Sequence, residues 1–189
     1  MDAFKNYLQQ FPDYTHDAFE KARPFLLEKT LQPGDYFLHH GNVCKSIAFI
    51  QTGLLRLYYL SDGKEVTNCF CRENTISTSY KSLVTQQESD IAIQAIEESK
   101  LIVLPYESLQ MLFNKNLFWQ QVGRLAAESE FVVADTHHRL LSDLSASDRY
   151  LHVLENDKEL LQRVPLHHLA TYLQIAHETL SRIRNKIRT

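Results

Sequence analysis

Only five glycines and five prolines are spread over 189 residues, and no stretch gathers enough glycine to cradle a phosphate. There is no Gly-x-Ser-x-Gly nucleophile turn and no His-x-His pair, so nothing supports catalysis and an enzyme is not expected. Cysteine is scarce as well. Cys44, Cys69 and Cys71 are too few for a disulfide framework, and their odd number would leave one unpaired in an oxidising compartment. No window approaches the roughly 20 apolar residues that cross a bilayer, the longest clusters being short ones such as Leu101–Leu104. Residues 1–10 carry Asp2 and Lys5 and have no apolar run followed by a small-residue cleavage site, so secretion is not expected. These absences point to a soluble cytoplasmic protein without a membrane partner.

What is present is the composition of a folding chain, 44% hydrophobic and 23% charged. That balance suits a buried core and excludes disordered and low-complexity classes. The formal net charge of −3 hides an asymmetry. The segment from Arg163 to the end carries +4 and the remainder −7. A basic end on an acidic body suggests a polyanionic partner, although a charge run alone is as well explained by a solvated helix face.

Residues 1–30 read as short helices broken at Pro12 and Pro24. Beyond the Pro33-Gly34-Asp35 turn, short β-rich segments follow at regular spacing: Tyr36–His39, Ile47–Thr52, Leu54–Leu60 and Glu65–Cys71, then Ile91–Ile96 and Leu101–Leu104. Their spacing predicts a sandwich or barrel. Asp62-Gly63 between two apolar runs is a strong hairpin signal, because it supplies the positive φ a tight turn requires.

From Tyr106 the period becomes helical. In a long segment from Leu117 to about Leu141, Phe118, Val122, Leu125, Ser129, Val132, Thr136 and Arg139 recur at alternating steps of four and three. This stripe spans about 25 residues, roughly 37 Å, longer than a small β-domain can cover. The spacing favours a dimer seam through Phe118, Val122, Leu125, Ser129, Val132 and Thr136. Ser145-Ala146-Ser147-Asp148 then reads as a hinge and helix N-cap opening a small helical unit.

That unit holds the sharpest motif. In the stretch from Leu166 to Arg184, Leu169 and Leu173 form the inner face of one helix, Ile175 plugs a turn, and Leu180, Ile183 and Ile187 face them from a second. Ala170 is small where the helices cross. This is helix-turn-helix spacing. The opposite face of the second helix displays His177, Glu178, Ser181, Arg182 and Asn185, with Arg184, Lys186 and Arg188 on its flanks. Arg can bridge O6 and N7 of guanine and Glu can accept from cytosine N4, so Glu178 and Arg182, one turn apart, suit a G·C-containing step. A plain i,i+4 ion pair between them is the alternative. Two positions fit the motif poorly: Gln174 stands where the turn usually has glycine, and Ala176 lacks a capping oxygen.

With these elements in this order, the chain resembles the Crp/Fnr family of bacterial transcription regulators from about Phe19 to Arg188. The resemblance rests on Leu31–Gly41 followed by Ile47–Gly53, similar to the opening strands of the family's cyclic-nucleotide-binding β-roll. It rests also on the long helix, and on Glu178-Thr179-Leu180-Ser181-Arg182-Ile183, similar to the recognition-helix core. It implies an α+β fold: a double-stranded β-roll over residues 1–115, a dimerisation helix over 116–143, and an all-α helix-turn-helix domain over 144–189. It further implies a homodimer, a palindromic double-stranded DNA site and RNA polymerase as partners.

Family members that bind cyclic AMP hold its phosphate with an Arg-Ser pair. The corresponding positions here are Ser89-Asp90, so an anion would meet repulsion in place of charge-assisted bonds. Thr75, Ser77, Ser79, Ser89 and Asp90 then mark an effector pocket for some other small molecule, or for none, and cyclic AMP is not expected. Iron–sulfur sensing is excluded by the lack of cysteines before Cys44. The Cys69-x-Cys71 thiols share a strand face and read as buried structural groups rather than redox sensors. His39-His40, His137-His138 and His167-His168 are adjacent pairs that project apart, so no metal or other cofactor is expected. A second reading keeps the β-roll but makes the helix-turn-helix a vestigial element that docks a protein.

Overall fold

The computed structural model describes the backbone of residues 1–188 and the side chains of residues 1–187. Helices α1 (Asp2–Leu8) and α2 (His16–Ala22) precede eight strands: β1 (Leu27–Leu31), β2 (Tyr36–Leu38), β3 (Ser46–Thr52), β4 (Leu55–Ser61), β5 (Lys64–Cys71), β6 (Ile76–Ser77), β7 (Ile91–Ala95) and β8 (Ser99–Pro105). A short helix α3 (Tyr80–Thr85) sits between β6 and β7. The strands form two four-stranded antiparallel sheets, in the orders β1-β8-β3-β6 and β2-β7-β4-β5. Phe49, Ile50, Leu55, Ile93, Leu101 and Ile102 fill the space between them, each at most 1% exposed. The Asp62-Gly63 turn joins β4 to β5 with φ of 50° and 73°, the twist a two-residue hairpin needs.

The N-terminal helical reading stops short of residue 30, because β1 begins at Leu27 and pairs along its whole length with β8. It is an edge strand on which only Leu31 is buried, so no alternation marks it in the sequence. Helix α1 lays Phe4 against Phe49 with ring centroids 5.1 Å apart. Trp119, the sole tryptophan of the chain, donates from Nε1 to the Ala18 carbonyl at 3.0 Å and ties the helical layer to α2.

Helix α4 (Tyr106–Lys115) leads into the 27-residue α5 (Leu117–Asp143), whose start is capped by the Asn116 carboxamide. After a break come α6 (Ala146–Asn156), α7 (Lys158–Arg163), α8 (Leu166–Tyr172) and α9 (His177–Arg188). Ser145 is the N-cap of α6. Its hydroxyl accepts from the Asp148 N–H and donates to the Asp148 carboxylate. The C-terminal helices enclose a second core of Leu140, Tyr150, Val153, Leu169, Leu173 and Leu180, and Leu54 of the β-roll inserts into it.

Strand β5 joins the two units. Its pairing with β4 shifts between Thr67 and Cys69, leaving Asn68 as an extra residue, a β-bulge. Thr67 and Phe70 therefore point outward to the C-terminal helices, while Cys69 and Cys71 point inward. Thr67 Oγ1 lies 2.7 Å from Thr171 Oγ1 of α8, and the Phe70 ring meets Tyr172 edge-on at 5.3 Å. Just beyond the strand, Arg72 pairs with Asp157 at 2.8 Å, and Glu73 binds Arg163 of α7 with 3.0 and 2.8 Å bonds.

Candidate nucleic-acid interface and sensor cavity

Helices α8 and α9 are held at their crossing by burial of Leu169, Leu173, Ile175 and Leu180 around the small Ala170. Ile183 is half-buried on the same face, whereas Ile187, expected to close it, is 37% exposed. Ile187 lies in the last turn of α9, the end farthest from the link to α8, beyond the buried cluster that takes in Leu180 and Ile183. The link between the helices is a Schellman motif: the Ile175 N–H donates to Ala170 O and the Gln174 N–H to Thr171 O. This geometry puts Gln174 at φ +52°, the left-handed region where a Cβ costs about 1–2 kcal/mol. Gln174→Gly should therefore raise stability by about 0.5–1 kcal/mol after glycine's greater entropy loss. A urea midpoint at or below that of wild type would contradict this.

On the outer face of α9, His177, Glu178, Arg182, Asn185 and Lys186 are exposed, while Ser181 and Arg184 are half-buried. The Arg188 side chain lies outside the described residues. The expected alternative for Glu178 and Arg182 is not what the structure holds. Arg182 donates to the Glu178 backbone carbonyl at 3.4 Å and to Thr179 Oγ1 at 3.3 Å, and among the described residues no ion pair joins the two side chains. Glu178 is exposed, and among the described residues its carboxylate takes no hydrogen bond. Arg149, unremarked in the sequence, positions the unit by donating to the carbonyls of Leu141, Leu144 and Leu173. One guanidinium thus binds the end of α5, the hinge and the end of α8.

Along α5 the expected seam divides. Phe118 and Val122 are 6% and 4% exposed and belong to the β-roll core, so they are not available to a second chain. Leu125 is half-buried; Ser129, Val132 and Thr136 are exposed. Phe131, Val132 and Val133 leave 76%, 63% and 55% of their surfaces uncovered, which marks the middle of the helix as unpartnered in the single chain.

The expected effector residues also divide. Ser77, Ser79 and Ser89 are buried, with Ser89 donating to Ser79 at 2.7 Å, and Asp90 sits at the surface paired with Lys81 at 2.8 Å. None of these four lines the cavity that Thr75 borders. That cavity is a space of about 630 Å³ between β5, α1, α3, α4 and α5. Its wall carries Cys69 and Cys71, which the sequence placed on one face. A hydrogen bond to Cys71 and burial push the Cys69 thiol well above its usual range, so it is a poor nucleophile. Glu130 of α5 and Tyr7 of α1 also line this space. Apolar surroundings raise the Glu130 carboxyl above its ordinary 4.5, and burial together with the nearby Glu130 charge raises Tyr7. Helical spacing with Phe4, Leu8 and Phe11 marks Tyr7 as part of an apolar face, but nothing in the sequence marks Glu130, since a glutamate on a surface helix looks solvated.

Among the described residues no group of three His, Cys, Asp or Glu is placed to hold a metal, and no helix is long and apolar enough to cross a membrane. The paired histidines contact rings instead, His137 stacking on Tyr172 at 4.3 Å and His167 lying 3.9 Å from His168.

Residues 28–116 match the cyclic nucleotide-binding domain family. Among solved structures, FixK2 from Bradyrhizobium japonicum shares 19% identity and aligns over 86% of this chain and 84% of its own, with a TM-score of 0.75. A transcriptional regulator of the Crp/Fnr family from Eubacterium rectale aligns at 17% identity over 97% and 88%, with a TM-score of 0.72. CLP, the c-di-GMP responsive global regulator of Xanthomonas campestris, aligns at 16% identity over 92% of each chain, also with a TM-score of 0.72. The chain has the Crp/Fnr fold. No curated protein sequence matches it. Within the Crp/Fnr fold, the β-roll is the part matched by the cyclic nucleotide-binding family, and α8 and α9 occupy its C-terminal end.

Proposed function

We propose that the protein is a homodimeric, sequence-specific DNA-binding transcription regulator of the Crp/Fnr type, acting in the cytoplasm and not responding to cyclic AMP. The observation that carries this reading is α9, whose inner face is buried and whose outer face presents Glu178 and Arg182 without a salt bridge between them. The fold supports it, as does the exposed apolar middle of α5, which suits a second copy pairing from Leu125 onward through Ser129, Val132 and Thr136. The corrected cavity supports cyclic AMP independence. Its lining holds one cation, Arg124, already paired with Glu128 at 2.6 Å, so a cyclic phosphate would meet Glu130 uncompensated.

Two-fold pairing predicts a palindrome with half-sites about one helical turn apart, read in the major groove. Selection of bound duplexes from a random pool, at a stated near-physiological salt concentration, tests this directly. Arg182→Ala should then lose about 1–3 kcal/mol and relax specificity at one base pair, whereas Lys186→Ala should weaken all sequences alike and lower the salt slope by about one. An Arg182→Ala protein binding the selected site as tightly as wild type would place α9 in a different register. Weak binding indifferent to sequence would favour the reading in which the helix-turn-helix docks a protein, with RNA polymerase then the first partner to try.

A further inference from the structure

The 630 Å³ cavity lies in the size range of small-ligand pockets. It is a cleft open to solvent, with the exposed Ser129, Glu130 and Val133 of α5 among its lining residues. Its walls are largely apolar, with Leu57, Leu83, Leu109 and Trp119 among them. The rim is apolar too, as Tyr80 and Val84 of α3 stand 54% and 57% exposed at its edge.

The charge of the space has one sign. Glu130 and Arg124 are the two ionisable groups of opposite sign on the lining, and the Arg124 guanidinium is spent on Glu128 at 2.6 Å, one turn along the same helix. Among the described residues Glu130 has no such partner. It is exposed at the mouth of the space and is one of the residues that line it, with Tyr7 of α1 and Cys69 of β5. An anionic head there would meet a carboxylate. A cationic or donating head would complete an ion pair at the edge of a low-dielectric space, where hydrogen bonds to charged groups are worth about twice neutral ones.

We infer that this cavity binds an apolar molecule with a single cationic head, a hydrophobic amine, whose chain lies along Trp119, Leu57 and the Cys69–Cys71 wall while its ammonium pairs with Glu130. The inference deepens the regulator reading by naming what the sensor takes. It is tested without DNA, so its failure leaves the DNA-binding result untouched, and the reverse holds as well.

Trp119 is the chain's sole tryptophan and lines the cavity, so its fluorescence reports occupancy. The probes are dodecylamine, dodecanol and dodecanoate, each kept below its micelle concentration, at pH 7 on the full chain. The amine is expected to change Trp119 emission saturably at one molecule per chain, at least tenfold more tightly than dodecanoate, with the alcohol between. Glu130→Gln should erase the preference for the amine over the alcohol while leaving the alcohol's affinity unchanged. Ala127→Phe, which fills the space from α5, should remove the response to all three. Far-UV circular dichroism and a cooperative melt confirm that both variants fold. Dodecanoate binding as tightly as the amine would overturn the inference, as would an unchanged order of affinities in Glu130→Gln or a wild-type Trp119 that responds to none of the probes.

Discussion

Gly53→Ala should cost about 2–6 kcal/mol of stability, a large share of what a domain of this size possesses. Two independent effects add. Gly53 sits at φ +106°, where an L side chain is strained by about 1–3 kcal/mol. A Cβ there would also lie 2.6 Å from Ser99 Cα and 2.7 Å from the Glu98 carbonyl, backbone atoms that can give way only if the chain leading into β8 shifts. Overpacking of this kind costs about 1–3 kcal/mol. The same residue donates its N–H to Glu73 Oε1 at 2.7 Å, so displacing the turn also disturbs the carboxylate that holds α7. Urea unfolding is the measurement, and a midpoint shift worth less than about 1 kcal/mol would show that the β3–β4 corner differs from that described.

Arg163→Ala should destabilise the protein by about 1–3 kcal/mol, in a pH-dependent way. Arg163 bonds to Glu73, Glu97 and Glu159, the bonds to Glu97 and Glu159 being 2.6 and 2.7 Å. Removing one partner of a fully buried pair costs about 3–5 kcal/mol; here the Glu73 and Glu97 side chains are 31% and 37% exposed, so solvent screening reduces the figure. Burial alone would raise the Glu73 carboxyl. The Arg163 guanidinium, with the backbone N–H groups of Glu73 and Gly53, overcomes it and brings the carboxyl from 4.5 down to about 2.

A depressed carboxyl contributes stability that is complete above its unfolded value and fades as pH falls from about 4.5 toward 2. The difference between wild type and Arg163→Ala should therefore be widest above pH 5 and shrink below pH 4. His168 acts in another window. Desolvation, with the nearby Arg56 and His167, lowers it from 6.5 to about 4, so its neutral form is favoured on folding and stability declines as pH falls from 6.5 to 4 in both proteins alike. Unfolding free energies at pH 7, 5 and 3 separate the two. A gap that stays constant from pH 7 to 3 would mean Glu73 is not held by Arg163.

How much of this was legible in the sequence depended on whether a residue's partner lay nearby in the chain. The Asp62-Gly63 hairpin and the buried set Leu169, Leu173, Ile175 and Leu180 obey short-range spacing, and the structure has them where spacing puts them. Gln174 was legible as a misfit for the same reason. Strand β1 was not, because an edge strand with one buried residue carries no alternation. Phe118 and Val122 continue the stripe of Val132 without a break, yet the β-roll covers them; periodicity reports that a face is apolar and says nothing about what meets it. The serine-rich segment at Ser77 and Ser79 suggested a polar pocket, but those hydroxyls are buried among themselves or, like Ser77 Oγ, lack a partner. Arg56 and Arg163 bond to residues up to 90 positions away, and no local pattern announces such contacts.

The bulge at Asn68 sets a limit on how this protein can change. Thr67 and Cys69, two residues apart, would share a face in a regular strand, and the extra residue between them shifts the phase so that one anchors α8 while the other lines the cavity. From Cys69 to Arg72 the two duties then alternate, one residue each. Substitutions along this stretch alter one side or the other. A single insertion or deletion within it would exchange them all at once, handing the cavity's lining to the helices and the helices' anchors to the cavity. The segment can therefore vary in composition but not in length.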